Sequence, residues 1–134
     1  MINQNFSFCT PVFVISVGME NIRPSQQARN LAVIFDDTMS LSPHVNTIVK
    51  GEFHHIRNIS KIRKYITKST REILIHSFVS SNLDFCNSLL FGAQKRDIAK
   101  LQSIQNAAAR IIAGLEKRDH ITETLRDLHW LPVK

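Results

Sequence analysis

From Val45 to Ile66 the apolar residues Val45, Ile48, Val49, Phe53, Ile56, Ile59, Ile62 and Ile66 recur mostly at intervals of three and four. That spacing draws one apolar stripe along a long α-helix and is incompatible with a strand, whose side chains change face at every residue. Ser42 before Pro43 predicts where the helix starts, with serine as N-cap and proline at the first helical position, where an N–H would be unpaired anyway. Gly51 weakens the middle of the helix by roughly 1 kcal/mol relative to alanine. A second helix is expected to open at Ser69, with Glu72 three residues on completing a capping box, and to carry Ile73, Leu74, Phe78 and Val79 inward. The polar residues from Asn82 to Asn87 predict a bend, followed by Leu89, Leu90 and Phe91 before Gly92. In the third helix Ile98, Leu101, Ile104, Ala108, Ile111 and Ile112 share a face, and Gly114 stands where a C-terminal cap belongs. A short last helix spans about Thr122 to His129, with Leu125 and Leu128 facing inward, before Trp130 and Pro132 end it.

The first forty residues follow another rule. From Val12 to Val17 every residue except Ser16 is β-branched or aromatic, and a second apolar run, Leu31 to Phe35, follows a stretch containing Gly18, Asn21, Pro24 and Ser25. Two strands joined by a turn-rich connection are expected, a pair too small to stand without further cover. The fold class is therefore α+β, mainly α: an N-terminal strand pair in residues 1–40, then a bundle of about four helices in residues 41–134. A chain of 134 residues is enough for one apolar core.

Charge divides the chain in the same place. The net charge of +6 comes from 17 basic and 11 acidic residues. Residues 1–40 hold only Arg23 and Arg29 against Glu20, Asp36 and Asp37, so the excess lies beyond residue 40. Such an excess attracts a polyanion, although solubility alone also accounts for it. Cys9 and Cys86 fit no metal spacing and no disulfide framework, which predicts reduced thiols and a cytoplasmic or nuclear location. His44, His54, His55, His76, His120 and His129 form no His-Glu-x-x-His motif and no Cys/His cluster, so neither a metal nor another cofactor is expected. The apolar stretch around Val12 is too short for a membrane span of about 20 residues and lacks the basic start of a signal peptide, so no membrane partner is expected.

Between positions 50 and 71 lie Lys50, Arg57, Lys61, Arg63, Lys64, Lys68 and Arg71 against one acid, Glu52. On a single helix Arg57, Lys61, Lys64 and Lys68 fall at i, i+4, i+7 and i+11 and share a face. A row of long cationic side chains can hold phosphates without reading sequence; the alternative is a solvated helix face. Other combinations carry less. Asp36 and Asp37 are expected to end a strand and lead into a turn. The alanines of Asn106 to Arg110 suit close helix–helix approach, and Leu128, Trp130 and Leu131 read as a plug for the core. Asp84, Cys86 and Asn87 lack a base held within reach of the thiol and are read as a bend. No catalytic residue emerges.

Four blocks nevertheless stand in a telling order: Asn-Leu-Ala-Val-Ile-Phe-Asp at 30–36 with His44 after it, Ser-Asn-Leu-Asp-Phe-Cys-Asn-Ser-Leu-Leu-Phe-Gly at 81–92, Leu-Gln-Ser-Ile-Gln-Asn-Ala-Ala-Ala-Arg at 101–110, and His-Ile-Thr-Glu-Thr-Leu-Arg-Asp-Leu-His-Trp-Leu-Pro at 120–132. From about residue 28 to the end, the chain resembles the segment that follows the catalytic palm in reverse transcriptases of LINE-type (non-LTR) retrotransposons. Residues 30–36 resemble that family's primer-grip strand, and the helices its thumb. Ala32 stands where the family usually has glycine, Lys64 and Glu123 where proline is common, and Phe85 and Phe91 where tyrosines are common. The family's metal-binding turn has the form aromatic-x-Asp-Asp; Phe35-Asp36-Asp37 lacks the intervening residue and matches instead a Leu-Gly-Val-x-Phe-Asp segment beyond that turn. The resemblance implies a fragment of an RNA-directed DNA polymerase, not itself an enzyme, with a thumb-like bundle truncated at its C-terminus. Its basic stretch would hold an RNA or DNA duplex through phosphates. Two other readings stay open: a helical module that binds a partner protein or itself through uncovered apolar surface, and a genomic relic without selected activity.

Overall fold

The computed structural model describes residues 14–85, 90–116 and 118–133. Two antiparallel hairpins, β1 (Ile15–Val17) with β2 (Glu20–Ile22) and β3 (Gln27–Asn30) with β4 (Val33–Asp36), come first. Helices α1 (Ser42–Ile62), α2 (Lys68–Ile75), α3 (Ser81–Asp84), α4 (Lys95–Ala113) and α5 (Thr122–Asp127) follow, and a π-helical turn at His76–Ser80 carries α2 into α3. The class is the expected one, mainly α with strands at the N-terminus.

The strand pairing differs from expectation. The two apolar runs do not pair with each other: Ile15 lies opposite Ile22, and Gln27 opposite Asp36. Val12 and Phe13 lie outside the described residues. Each run closes on its own neighbour through a two-residue loop, which costs less chain entropy than joining strands across a longer connection. In the second loop Leu31 and Ala32 both take positive φ, 46° and 69°, a geometry that suits the twist of a two-stranded ribbon and normally calls for asparagine or glycine. Every residue of β1 and β2 is exposed, whereas β4 packs on α1 and buries Val33.

Asp36 organises the passage into the helices. Its carboxylate accepts the Thr38 hydroxyl, the Ser40 hydroxyl at 2.8 Å and the Leu41 N–H at 2.9 Å. The hydrogen bond from Thr38, with those from Ser40 and Leu41, holds its pKa far below the usual carboxylate range. Asp36 thus ends a strand and shapes a turn, as expected, and that turn leads into α1.

Helix boundaries depart from the sequence reading where other contacts compete. The cap of α1 is Leu41, at φ 57°, because the Ser42 hydroxyl is engaged by Asp97 at 2.6 Å. The helix ends at Ile62, not Ile66, so Ile62 is half exposed. Thr67 rather than Ser69 caps α2: its backbone is extended, and its hydroxyl accepts the Thr70 N–H at 3.2 Å. With that start Ile75 and Val79 face inward, and Ile73, two residues from Ile75 and roughly 160° around the axis, is 62% exposed. Phe78 also stays half exposed, stacked on His55 with ring centroids 5.4 Å apart.

Helix α4 matches its pattern. Leu101, Ile104, Ala108, Ile111 and Ile112 are buried with Ile75, Val79, Val45, Ile56 and Ile59, and Ala108 and Ala109 are fully buried on the helix that packs on α1. Full burial of each isoleucine or leucine contributes roughly 1.5–3 kcal/mol. Gly114, at φ 73°, ends the helix, and the Leu115 N–H donates back to the Arg110 carbonyl at 2.9 Å. His129, at φ 54°, performs the same office for α5, with the Trp130 N–H donating to the Leu125 carbonyl at 2.9 Å. Leu128 and Trp130 pack on the core, but Leu131 is 84% exposed and is not part of a plug. Phe91 is likewise turned outward. The tail is tied to α4 by two side-chain amides: Gln105 donates to the Leu131 carbonyl and Gln102 accepts the Val133 N–H, each at 2.8 Å. No described helix is long and apolar enough to cross a membrane.

Candidate nucleic-acid interface

The end of α1 at Ile62 redraws the cationic row. Lys50, Arg57 and Lys61 remain on α1, all exposed and within roughly 40° of one another around the axis, on the side away from Val45, Ile56 and Ile59. Lys64 and Lys68 are not on that helix. Lys64 lies in the turn after it and Lys68 opens α2, so with Arg63 they form a basic corner around the exposed ring of Tyr65. The turn is closed by the Tyr65 N–H donating to the Ile62 carbonyl at 2.9 Å.

Arg71 is drawn elsewhere. It is partly buried, and its Nη1 donates to the Ile111 carbonyl at 3.1 Å, so it caps the C-terminal end of α4 from across the bundle. The same nitrogen lies 3.4 Å from where a Gly114 Cβ would stand, so glycine serves this contact as well as its own backbone. Six of the seven residues therefore face solvent or the α1–α2 corner, and the seventh joins two helices.

Glu52, the one acid of the stretch, does not neutralise the row. It is 3% exposed on the inner side of α1, where Asn82 of α3 donates to Oε1 at 2.9 Å. Burial pushes its pKa up, and the Asn82 hydrogen bond opposes this only in part. Among the described residues the single ion pair joins Lys100 to Asp97 at 2.8 Å, so none of the six outward cations is paired. Unpaired, closely spaced cations on a low-dielectric body hold a positive potential outside the surface.

Neither Glu52 nor His44 draws a chemical role from the sequence pattern. The signal for Glu52 was its position, a carboxylate four residues from both Ile48 and Ile56 on the apolar face of α1. His44 is buried in the first turn, and its Nδ1 faces the Ile34 N–H of β4 at 3.5 Å. Burial lowers its pKa. These two residues line a cleft of about 250 Å³ between α1, the β3–β4 hairpin and α3. A larger groove of about 760 Å³ lies between the π-helical turn, α4 and the C-terminal tail, walled by Leu83, Leu90, Leu101 and Trp130. His76 meets Trp130 edge to face there, with centroids 5.7 Å apart.

Of the trio read as a bend, Asp84 closes α3, and Cys86 and Asn87 lie outside the described residues, as does Cys9. Among the described residues no three His, Cys, Asp or Glu side chains converge in a way that would hold a metal ion. A scan against protein-family models finds no match, and searches of curated proteins and of solved structures find none either.

Proposed function

We propose that this chain is a thumb-like, non-catalytic segment of a LINE-type retrotransposon reverse transcriptase, and that it holds an RNA or DNA duplex by its phosphates. The observation that carries the reading is the separation of charge across α1: Lys50, Arg57 and Lys61 outward and unpaired, Glu52 inward. Eleven residues of helix extend roughly 16 Å, comparable to about five phosphates along one strand at 3.4 Å each. Arg63, Lys64 and Lys68 extend the row around the corner. Contacts of this type position a duplex without selecting its sequence. The order of the sequence blocks supports the assignment to the thumb, with nucleotide transfer performed by parts of the polymerase that this segment does not contain.

Salt dependence tests the reading. Binding of a fluorescent RNA–DNA duplex is expected to weaken steeply between 50 and 200 mM salt. Replacing Lys61, Lys64 and Lys68 together by glutamine is expected to reduce the slope of log affinity against log salt by about 2.7, at roughly 0.9 for each phosphate no longer neutralised. An unchanged slope would remove the phosphate row from the account. The larger groove and the exposed Phe91 and Leu131 favour a second reading, an apolar interaction module. Association that persists unweakened at 200 mM salt would select it.

A further inference from the structure

Buried polar atoms in folded proteins are almost always hydrogen-bonded, so two in one cavity that lack partners call for an explanation. His44 and Glu52 are 5% and 3% exposed, and each has one polar atom without a partner, Nε2 and Oε2. Both side chains line the cleft of about 250 Å³.

The two residues offer different chemistry. The Ile34 N–H faces Nδ1 of His44, so the neutral ring carries its proton on Nε2 and presents a donor. Glu52 gives Oε1 to Asn82 and leaves Oε2 without a partner, and because both orphaned atoms are closed to solvent, a ligand in the cleft meets them once the His44 and Glu52 side chains turn toward it. Their backbone positions are roughly 12 Å apart along α1, which asks for a ligand of some length.

The walls between them limit the ligand further. Ile34, Ile48 and Phe85 make them apolar, and the His55 ring is fixed against Phe78. No atom lies within 4 Å of a Cβ built on Gly51, so the floor of the cleft is bare helix. Arg29 stands exposed on the rim. A flat ligand with hydrogen-bonding edges and an anionic end matches this set of groups. The volume of about 250 Å³ falls just below that of pockets for drug-sized molecules, so it takes one base and leaves the ribose and phosphate toward the rim.

We propose that the cleft binds a single nucleotide, its base enclosed between α1 and the β3–β4 hairpin and hydrogen-bonded at His44 and Glu52, its phosphate at Arg29. The proposal rests on the preceding reading for its ligand class alone. The groups it uses lie on a different side of α1 from Lys50, Arg57 and Lys61, so the two surfaces fail or succeed separately.

The test is titration of the full chain with AMP, GMP, CMP and UMP in turn, followed by amide and histidine side-chain NMR. Ribose 5-phosphate and inorganic phosphate serve as comparison probes. At least one nucleotide is expected to shift the Gly51, Glu52 and Asn82 amides saturably and to move the His44 Nε2 signal, while neither comparison probe does so. The variant His44→Phe is expected to weaken that nucleotide at least tenfold, and His44→Gln, which keeps a donor, by less than threefold. Equal shifts from ribose 5-phosphate, unmoved cleft amides with all four nucleotides, or undiminished binding by a folded His44→Phe chain would each overturn the proposal. Salt-sensitive duplex binding with a silent cleft would refute the nucleotide site alone. A responsive cleft with salt-insensitive duplex binding would refute the phosphate row alone.

Discussion

Ser42, in the first turn of α1, donates its hydroxyl at 2.6 Å to Asp97, a fully buried carboxylate in the first turn of α4, 55 residues away. Lys100 closes the arrangement, reaching Asp97 at 2.8 Å and Asn46 of α1 at 2.7 Å. The two helix starts are thereby held together, and the carboxylate sits where the helix dipole of α4 favours a negative charge. Replacing Asp97 by alanine is expected to cost about 2–3 kcal/mol, because it leaves partners without an acceptor in a buried place. Urea denaturation of the variant measures it. Burial opposes ionisation of Asp97, but the hydrogen bonds from Lys100 and Ser42 and the charges of Lys100 and Arg96 outweigh it, so its pKa lies below the ordinary 3.8. The contribution is therefore complete above pH 3.8 and lost as pH falls through the lower folded-state value. The gap between wild type and Asp97→Asn should close in that acidic range.

Glu52 and His44 should tilt stability in opposite directions. Burial raises the pKa of Glu52 above its ordinary 4.5, so the protonated form stabilises the fold below that value and the benefit fades as pH rises through the raised one. Burial lowers the pKa of His44 below 6.5, so stability is complete above 6.5 and falls as the solution is acidified toward the depressed value. Thermal melts between pH 4 and 8 should show Glu52→Gln gaining on wild type as pH rises, and His44→Phe flattening the decline below 6.5.

Ala32 holds a left-handed conformation that costs an L-residue about 1 kcal/mol and glycine almost nothing. Ala32→Gly is expected to stabilise the chain by about 0.5 kcal/mol after the greater flexibility of the unfolded glycine is counted, and to raise the melting temperature by a degree or more. A lower melting temperature would show that this loop does not carry the strain.

These residues also show how far the sequence could be read. Helix α4 was legible almost to the residue because its apolar positions, its alanines and Gly114 all agree. Strand content was legible, but pairing was not, since period-two patterns do not name a partner and two local loops competed with one long connection. The start of α1 escaped the local pattern because Ser42 has a tertiary partner in Asp97, which no capping motif records. In the candidate interface the cations were visible as a run, and Glu52 as its one acid. That Arg71 would turn inward to the end of α4, and that His44 and Glu52 would share a cleft, depended on contacts across 40 and 30 residues or on the hairpin's position.

Arg71 separates packing from binding. Arg71→Ala removes a charged donor from the Ile111 carbonyl and is expected to cost about 1–2 kcal/mol. It should leave the salt slope of duplex binding unchanged. A reduced slope with unaltered stability would return Arg71 to the phosphate row.

Two isoleucines on the same helix should respond differently. Ile75, fully buried, is expected to lose about 3–4 kcal/mol on replacement by alanine, through lost transfer energy and the cavity left behind. Ile73, 62% exposed, should change by no more than about 0.5 kcal/mol. Denaturant midpoints of the two variants provide the comparison.

The wide turn at His76–Ser80 holds one residue more than regular α-helical pitch would need between α2 and α3. Losing one residue from an ordinary helix swings everything beyond it by about 100° and scrambles its contacts. Here the surplus is already absorbed in one place, so an in-frame loss of Ser77 would tighten the coil and leave Asn82 still facing Glu52. Deleting Ser77 is therefore expected to cost less stability than deleting one residue from the middle of α4, a difference that urea denaturation of the two variants measures.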